Sequence, residues 1–137
     1  RTDAGFIYVI QDNSRLKIGK STSPRTRIQQ ASTWLPEMVL IGVKPFWNTG
    51  NVEKWLHEGL AQWWFDKEWF KFDGDPYQAS FIDNFRAFSD KESDRDENSI
   101  NFLHWMNEFT ESFAERSNRV QNLRQFQRAV SDTKKLD

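Results

Sequence analysis

The sequence contains no cysteine and no long hydrophobic run, and each absence excludes a class of protein. Without cysteine the chain has no disulfide, no thiol nucleophile and no cysteine-ligated zinc. No apolar stretch approaches the roughly 20 residues that a membrane-spanning helix needs, and the N-terminus lacks the layout of a signal peptide. We therefore expect a cytoplasmic protein that does not enter a membrane. Its 137 residues, 37% of them hydrophobic, are enough to bury a core.

Glycine and proline are both absent after Pro76. These residues normally interrupt regular structure, so their absence predicts that the rest of the chain is helical. Residues 79–88 suit one helix, whereas residues 90–97 carry five acids and two bases and are most simply a solvated linker. We expect one domain over residues 1–76 and an all-helical C-terminal extension over residues 77–137.

Acidic residues are missing between Asn13 and Pro36. The same stretch holds five basic residues: Arg15, Lys17, Lys20, Arg25 and Arg27. Since the whole chain has a net charge of −1, bulk charge does not explain this cluster, and phosphate groups are the obvious partner. A solvated loop and helix face is the alternative, because short basic clusters are common.

The first half of the chain predicts a small sheet with helices between its strands. Residues 5–11 alternate and are rich in β-branched and aromatic types, and a polar turn separates them from a second alternation. Ser23 and Pro24 suit the start of a helix. The predicted order is β-β-α-β-α-β, an α+β fold, with strands over residues 5–11, 16–18, 38–43 and 68–72 and helices over residues 24–32 and 52–64.

Two short motifs carry a resemblance to a known family. "FIY" in the first strand and "KIG" in the second are followed by Arg27, eight residues past Gly19, and by Glu53 in the second helix. This arrangement resembles the GIY-YIG nuclease superfamily. With "VEKWLHEGL" and "EWF", it looks most like the branch that contains the T5orf172 and Mug113-type domains, over about residues 4–72.

The resemblance implies a metal-dependent DNA endonuclease with a Mg²⁺ or Mn²⁺ cofactor. Tyr8 corresponds to the tyrosine that activates or positions water, and Arg27 to the arginine that stabilises the phosphate in the transition state. A guanidinium suits that role because its planar fork binds phosphate oxygens and stays charged. Glu53 corresponds to the carboxylate that binds the metal, and His57, one helical turn later, to a residue that orients water or phosphate.

Each of these residues also has an ordinary structural explanation. The alternative for Tyr8 is an ordinary strand tyrosine whose ring packs in the sheet. The alternative for Arg27 is an arginine on a helix surface. Glu53, in the first turn of a helix, is favoured there by the helix dipole, and a solitary histidine such as His57 is more often structural than catalytic.

Other residues near the motifs suit DNA binding. Gly19 and Ser21 favour a loop whose backbone N–H groups approach a phosphate, and Lys20, Arg15 and Arg25 add positive charge beside it. Two positions depart from the superfamily pattern. Lys17 stands where most members have tyrosine, although the T5orf172 branch is similar in carrying lysine, and Ala31 stands where many have histidine or tyrosine. No asparagine follows the metal-binding helix, since the nearest position holds "EWF".

The predicted C-terminal extension contains an apolar stripe at helical spacing. It consists of Phe102, Trp105, Met106, Phe109 and Phe113, and Val120, Leu123 and Val130 continue it. The stripe is explained by a core or by a surface that pairs with a second copy of the chain or another protein. The C-terminal end of the extension is basic, which is consistent with DNA contact or with a solvated helix. Its basic residues are Arg116, Arg119, Arg124, Arg128, Lys134 and Lys135.

Three functions therefore follow from the sequence. The first is a DNA endonuclease that requires Tyr8, Arg27 and Glu53 in one groove, with Lys17 and His57 as supporting catalytic residues and Lys20 as a further support. The second is a catalytically impaired DNA-binding or regulatory module with the same fold. The third is a protein-interaction domain that uses the C-terminal helices, either as a homo-oligomer or with another protein.

Overall fold

The first two strands form the hairpin that the alternating pattern predicts. A computed structural model of the chain describes residues 1–108. Within it, β1 (Gly5–Asp12) pairs antiparallel with β2 (Arg15–Ser21), and Asn13 in the turn has a positive φ of 54°. Asparagine tolerates this left-handed conformation, which suits a tight hairpin.

Three further strands and four helices complete the described fold, which is α+β. The sheet is antiparallel with strand order β3-β1-β2-β5-β4, so β3 and β4 are its edges. The remaining elements are α1 (Pro24–Trp34), β3 (Val39–Phe46), α2 (Thr49–Gly59), β4 (Trp64–Asp66), β5 (Trp69–Lys71), α3 (Tyr77–Arg86) and α4 (Arg95–Glu108), with short 3-10 turns at Ala61–Trp63 and Glu92–Asp94.

The helix predicted over residues 52–64 was wrong at both ends. α2 spans Thr49–Gly59, and Trp64–Asp66 form the short edge strand β4. All three residues of β4 are exposed, so no alternation of apolar and polar residues marks the strand in the sequence. Pairing with β5 holds it in place, and the Trp64 Nε1–H donates to the Lys67 carbonyl at 2.8 Å.

The solvated linker predicted over residues 90–97 was also wrong. A 3-10 turn precedes α4, and that helix begins at Arg95. Asp96 and Glu97 lie in its first turn, where acidic side chains interact favourably with the helix dipole. Arg95 fixes the start of the helix to the sheet, because its Nε–H donates to the Phe46 carbonyl at 3.2 Å.

A single hydrophobic core joins one face of the sheet to α2, α3 and α4. Phe46 of β3 makes edge-to-face contacts with Phe88 and Phe102, at centroid distances of 5.2 and 5.9 Å. The buried members are Ile7, Val9, Leu16, Ile18, Ile41, Phe46, Val52, Leu56, Leu60, Phe70, Phe72, Phe81, Phe85, Phe88, Phe102 and Trp105. Residues on both sides of Pro76 thus share one core, and the domain boundary predicted there stays a prediction.

Two residues of the apolar stripe, Phe102 and Trp105, are buried in the chain's own core. Met106 packs against the same core and is partly buried. This part of the stripe is therefore not a free surface. The rest of the stripe and the basic C-terminal side chains lie outside the described residues. Among residues 1–108, no helix is long and apolar enough to span a membrane.

Candidate functional site

The centre of the site is the contact between Tyr8 and Gly19. These residues are direct partners in the β1–β2 ladder and lie on the sheet face opposite the main core, because Ile7, Val9 and Ile18 point into that core. The Tyr8 phenol lies so close over Gly19 that any Cβ at position 19 would collide with its Cζ and hydroxyl oxygen. Glycine at this position therefore provides the space that the tyrosine ring occupies.

Three charged groups affect the pKa of the Tyr8 hydroxyl. Burial raises the pKa of Tyr8 above its ordinary value of 10.0, and the negative charges of Glu68 and Glu53 raise it further, whereas the Arg27 guanidinium lowers it. Among the described residues the cation that lowers this pKa is Arg27 and not Lys17. Tyr8 is consequently a neutral phenol at neutral pH. It can donate and accept hydrogen bonds, but it is not a phenolate base.

Glu53 reaches the site from the first half of α2. Its side chain is half-buried, and Oε2 is buried with no hydrogen-bond partner among the described residues. Burial raises the pKa of Glu53, and Glu68 raises it further. His57, Lys20 and a hydrogen bond from the Lys20 backbone lower it. An unpaired, partly desolvated carboxylate oxygen is costly, and a bound cation would remove that cost.

Arg27 approaches from α1, which lies beside the end of β2. The helix begins at Pro24 with Ser23 as its N-cap residue, as the sequence predicts. The Ser21 hydroxyl oxygen accepts the Ser23 backbone N–H at 2.9 Å and holds the connecting loop. Arg27 is exposed on the first turns of this helix, and its charge interacts with Tyr8. Arg27 of α1 and Glu53 of α2 therefore both act electrostatically on Tyr8 of β1.

His57 supports the site from behind. Its Nε2 lies 2.8 Å from the Ile18 carbonyl oxygen, and because a carbonyl only accepts, Nε2 carries the proton. The ring also contacts the edge of Phe70 at a centroid distance of 5.2 Å. These contacts fix the α2 helix against β2 and β5, and they leave Nδ1 as the ring nitrogen available for other interactions.

Glu68 is a site residue that the sequence analysis missed. It immediately precedes β5, and its charge is the largest charge effect on the pKa of both Tyr8 and Glu53. Although "EWF" is part of the motif pattern and of the strand predicted over residues 68–72, the sequence assigned no role to Glu68 itself. Fifteen positions separate Glu68 from Glu53, and only the pairing of β5 with β2 brings them together, so sequence spacing gives no signal of this approach.

The predicted DNA-binding residues differ in their exposure and in whether their side chains already pair with another residue. Arg15 is already engaged, because it pairs with Asp12 at 3.1 Å and lies 3.9 Å above the Trp69 ring. Arg25 is exposed on α1, and Lys17 is half-buried on the same sheet face as Gly19. Lys20 is exposed and lines a cleft of about 200 Å³ together with Asp3, Gly5, Ser21, Thr22 and Thr49.

A metal ion would find few ligands here. Within residues 1–108 no group of three or more His, Asp or Glu side chains is arranged to hold one. Mg²⁺ nevertheless needs only one or two carboxylates, since it keeps several waters and binds substrate phosphates. The unpartnered Oε2 of Glu53, with Glu68 nearby, fits that requirement.

A comparison with protein families agrees with the motif pattern. The sequence model of the T5orf172 domain matches residues 5–88, more than half of the chain. The chain belongs to the T5orf172 domain family. The T5orf172 match contains all five strands and α1 to α3, and it includes Tyr8, Arg27, Glu53 and Glu68. No curated protein and no solved structure matches the chain.

T5orf172 domains are associated with GIY-YIG-like nucleases, which points to a nuclease-like or DNA-binding function for this chain. The match begins at the first residue of β1 and extends past Pro76 through α3. The site described above therefore lies entirely within the family domain.

Proposed function

We propose that this T5orf172 domain is a metal-dependent DNA endonuclease that hydrolyses phosphodiester bonds. The observation that supports it is the Tyr8 phenol held over Gly19, with Arg27 of one helix and Glu53 of another both acting on its pKa. An electrostatic cluster that combines a cation, a phenol and a poorly solvated carboxylate is typical of catalytic sites.

Each residue would have a distinct task. The exposed Arg27 would bind the phosphate and stabilise the charge that accumulates on it in the transition state. Tyr8, as a neutral phenol, would position the attacking water by a hydrogen bond rather than remove its proton. Glu53 would hold Mg²⁺ or Mn²⁺, which when bound supplies positive charge beside the phosphate and lowers the pKa of bound water.

Other residues would contribute less directly. Lys17, Lys20 and Arg25 would attract the DNA backbone, and the loop from Gly19 to Ser21 would lie next to the phosphate. His57 would keep α2 in place through the Ile18 carbonyl. Arg15 would contribute little to binding, because Asp12 already neutralises much of its charge.

The test is nicking of supercoiled plasmid in Mg²⁺ or Mn²⁺ by the intact chain. Glu53→Gln and Arg27→Ala should each abolish metal-dependent nicking, whereas Lys54→Ala, an exposed neighbour on the same helix, should not. Absence of nicking by the wild-type chain at any divalent metal concentration would refute the proposal.

A catalytically impaired DNA-binding module is the second candidate. The observation that favours it is Lys17, which lies on the Tyr8 face in place of a second phenol. In that case DNA binding would survive Glu53→Gln, would weaken steeply with salt, and would occur without cleavage.

A further inference from the structure

Glu68 is held in place by backbone contacts on both sides. The preceding residue, Lys67, has a positive φ of 50° in the tight turn between β4 and β5, and its carbonyl accepts the Trp64 indole N–H. The Glu68 carbonyl accepts the Ile18 backbone N–H at 3.1 Å. Its main chain is therefore fixed against the middle of β2, close to Gly19.

The register of the sheet places Glu68 next to the part of β2 that Glu53 contacts. Leu16 is paired with Phe70, so Glu68 lies opposite Ile18 in the same ladder. Glu53 accepts a hydrogen bond from the backbone of Lys20, two residues further along β2 than Ile18. Backbone groups two residues apart in a strand point to the same edge, so Glu53 and Glu68 both contact the same edge of β2.

The two carboxylates form an unfavourable pair without a cation. Glu68 acts on Glu53 as a like charge, and Oε2 of Glu53 has no partner among the described residues. The neighbouring positive groups are Lys20, whose ammonium is exposed, and His57, whose Nε2 is occupied by a carbonyl. A divalent ion between the two carboxylates would turn this repulsion into attraction.

We propose that Glu68 is a second carboxylate ligand of the divalent cation, which it binds together with Glu53. This inference rests on the metal site of the proposed nuclease and adds a residue to it. It also accounts for the short strand β4, since the β4–β5 turn is what places Glu68 beside α2.

The test measures metal binding directly, by electron paramagnetic resonance titration of the intact chain with Mn²⁺ in the absence of DNA. Glu68→Gln and Glu53→Gln should each weaken binding about 10- to 100-fold. Glu97→Gln, an exposed acid on α4, is the matched control and should bind as the wild type does.

Three outcomes have distinct meanings. Wild-type binding by Glu68→Gln, or no Mn²⁺ binding by the wild-type chain at millimolar metal, overturns the inference. Weak binding by both glutamine variants supports it. If the wild-type chain binds metal but does not nick DNA, and both variants bind metal weakly, the inference is supported and the proposed nuclease activity is refuted.

Helix α1 carries a second and independent observation. None of its eleven residues is buried, it contains no acid, and Trp34 at its end is 84% exposed. Trp34 lies seven residues after Arg27, so the two side chains share a helix face about 10 Å apart along the axis. A large exposed aromatic beside uncompensated positive charge is typical of surfaces that stack on nucleic-acid bases.

We infer that Trp34 stacks on an exposed nucleobase of the DNA whose phosphate binds at Arg27. This rests on DNA as the partner and specifies a substrate with an unpaired or extruded base. The charge of Arg27 on the same helix face favours DNA over a protein partner, because a guanidinium there would meet a phosphate.

The test compares affinities for a labelled single-stranded oligonucleotide by fluorescence anisotropy. Trp34→Ala should weaken binding about 5- to 150-fold, and Trp34→Phe should retain most of it, since stacking contributes about 1–3 kcal/mol per base. Val39→Ala, which removes another exposed apolar side chain, is the control. Equal effects of Trp34→Ala and Val39→Ala, or an unchanged DNA affinity with loss of self-association, would overturn the inference.

Discussion

Helices α1 and α2 have the same length, eleven residues, and opposite relations to the rest of the chain. α2 buries Thr49, Val52, Leu56 and Gly59 and contributes to the hydrophobic core, whereas α1 buries nothing. Both nevertheless deliver a charged residue to Tyr8, Glu53 from α2 and Arg27 from α1. The acidic residue, Glu53, thus lies on a helix that packs into the core, and the basic residue, Arg27, lies on an exposed helix that faces the proposed substrate.

The largest expected effect is on the free energy of unfolding, and it compares α2, which packs into the core, with α1, which is exposed. Leu56→Ala should destabilise the chain by about 2–5 kcal/mol, because it removes a fully enclosed side chain and leaves a cavity. Ile28→Ala on α1 should cost less than about 1 kcal/mol, since Ile28 is only partly covered. Chemical denaturation measures both. Equal losses would show that α1 packs against the protein as α2 does.

A second prediction concerns Gly19, which lies against the phenol of Tyr8, the residue on which the charges of both helices act. Gly19→Ala should displace the phenol and destabilise the fold by about 1–3 kcal/mol, as overpacking in a close-packed site generally does. It should also abolish nicking. The double variant Gly19→Ala/Tyr8→Phe should recover little stability, because the Cβ also collides with the ring carbon. Unchanged stability and nicking in Gly19→Ala would contradict the close contact.

A third prediction separates the helices by salt dependence. Replacing Arg25 and Arg27 with alanine should lower the slope of log affinity for DNA against log salt by roughly 1.4 to 1.8, because each phosphate contact contributes about 0.7 on single strands and 0.9 on duplex. Lys54→Ala on α2 should leave the slope unchanged. Titration of labelled DNA at several salt concentrations gives the slopes. A larger change for Lys54 would place the DNA on α2.

The smallest expected effect is a pH dependence that comes from Glu53. Its pKa is raised in the folded chain, so its charge opposes folding: stability is greatest below the unfolded pKa and falls as pH rises through the folded pKa. Without metal, Glu53→Gln should therefore raise the melting temperature at neutral pH. Below about pH 4, where both states are protonated, the difference should vanish. Thermal melts in EDTA check this, with Glu97→Gln as the control, and a lower melting temperature for Glu53→Gln at neutral pH would contradict it.

The sequence predicts the regular parts of this fold and the family residues better than it predicts their surroundings. The β1–β2 hairpin and the start of α1 carry strong local signals, namely alternation, turn residues and Ser23–Pro24. β4 carries none, because it is three exposed residues held by one neighbouring strand. The start of α4 does have a signal, since Asp96 and Glu97 favour a helix N-terminus, but the dense charge around them also suits a linker.

The residues of the site differ in the same way in how well the sequence predicts them. Tyr8, Arg27 and Glu53 are recognisable because family resemblance fixes their order along the chain. Glu68 is not, because its approach depends on a strand register and a turn that lie far from Glu53 in sequence. The engagement of Arg15 with Asp12 likewise arises from a hairpin cross-pair, Asp12 opposite Arg15, which a count of local charge does not reveal.

The attachment of α4 to β3 also bears on how the protein avoids aggregation. β3 is an edge strand, and such edges tend to recruit strands from other molecules. The fully buried Asn98 donates to the Pro45 carbonyl at 3.1 Å, and Arg95 donates to that of Phe46, so the end of the strand is already occupied. The start of β3, at Val39 and Leu40, is exposed and apolar. Loosening α4 would free the end of this edge strand for pairing with another molecule.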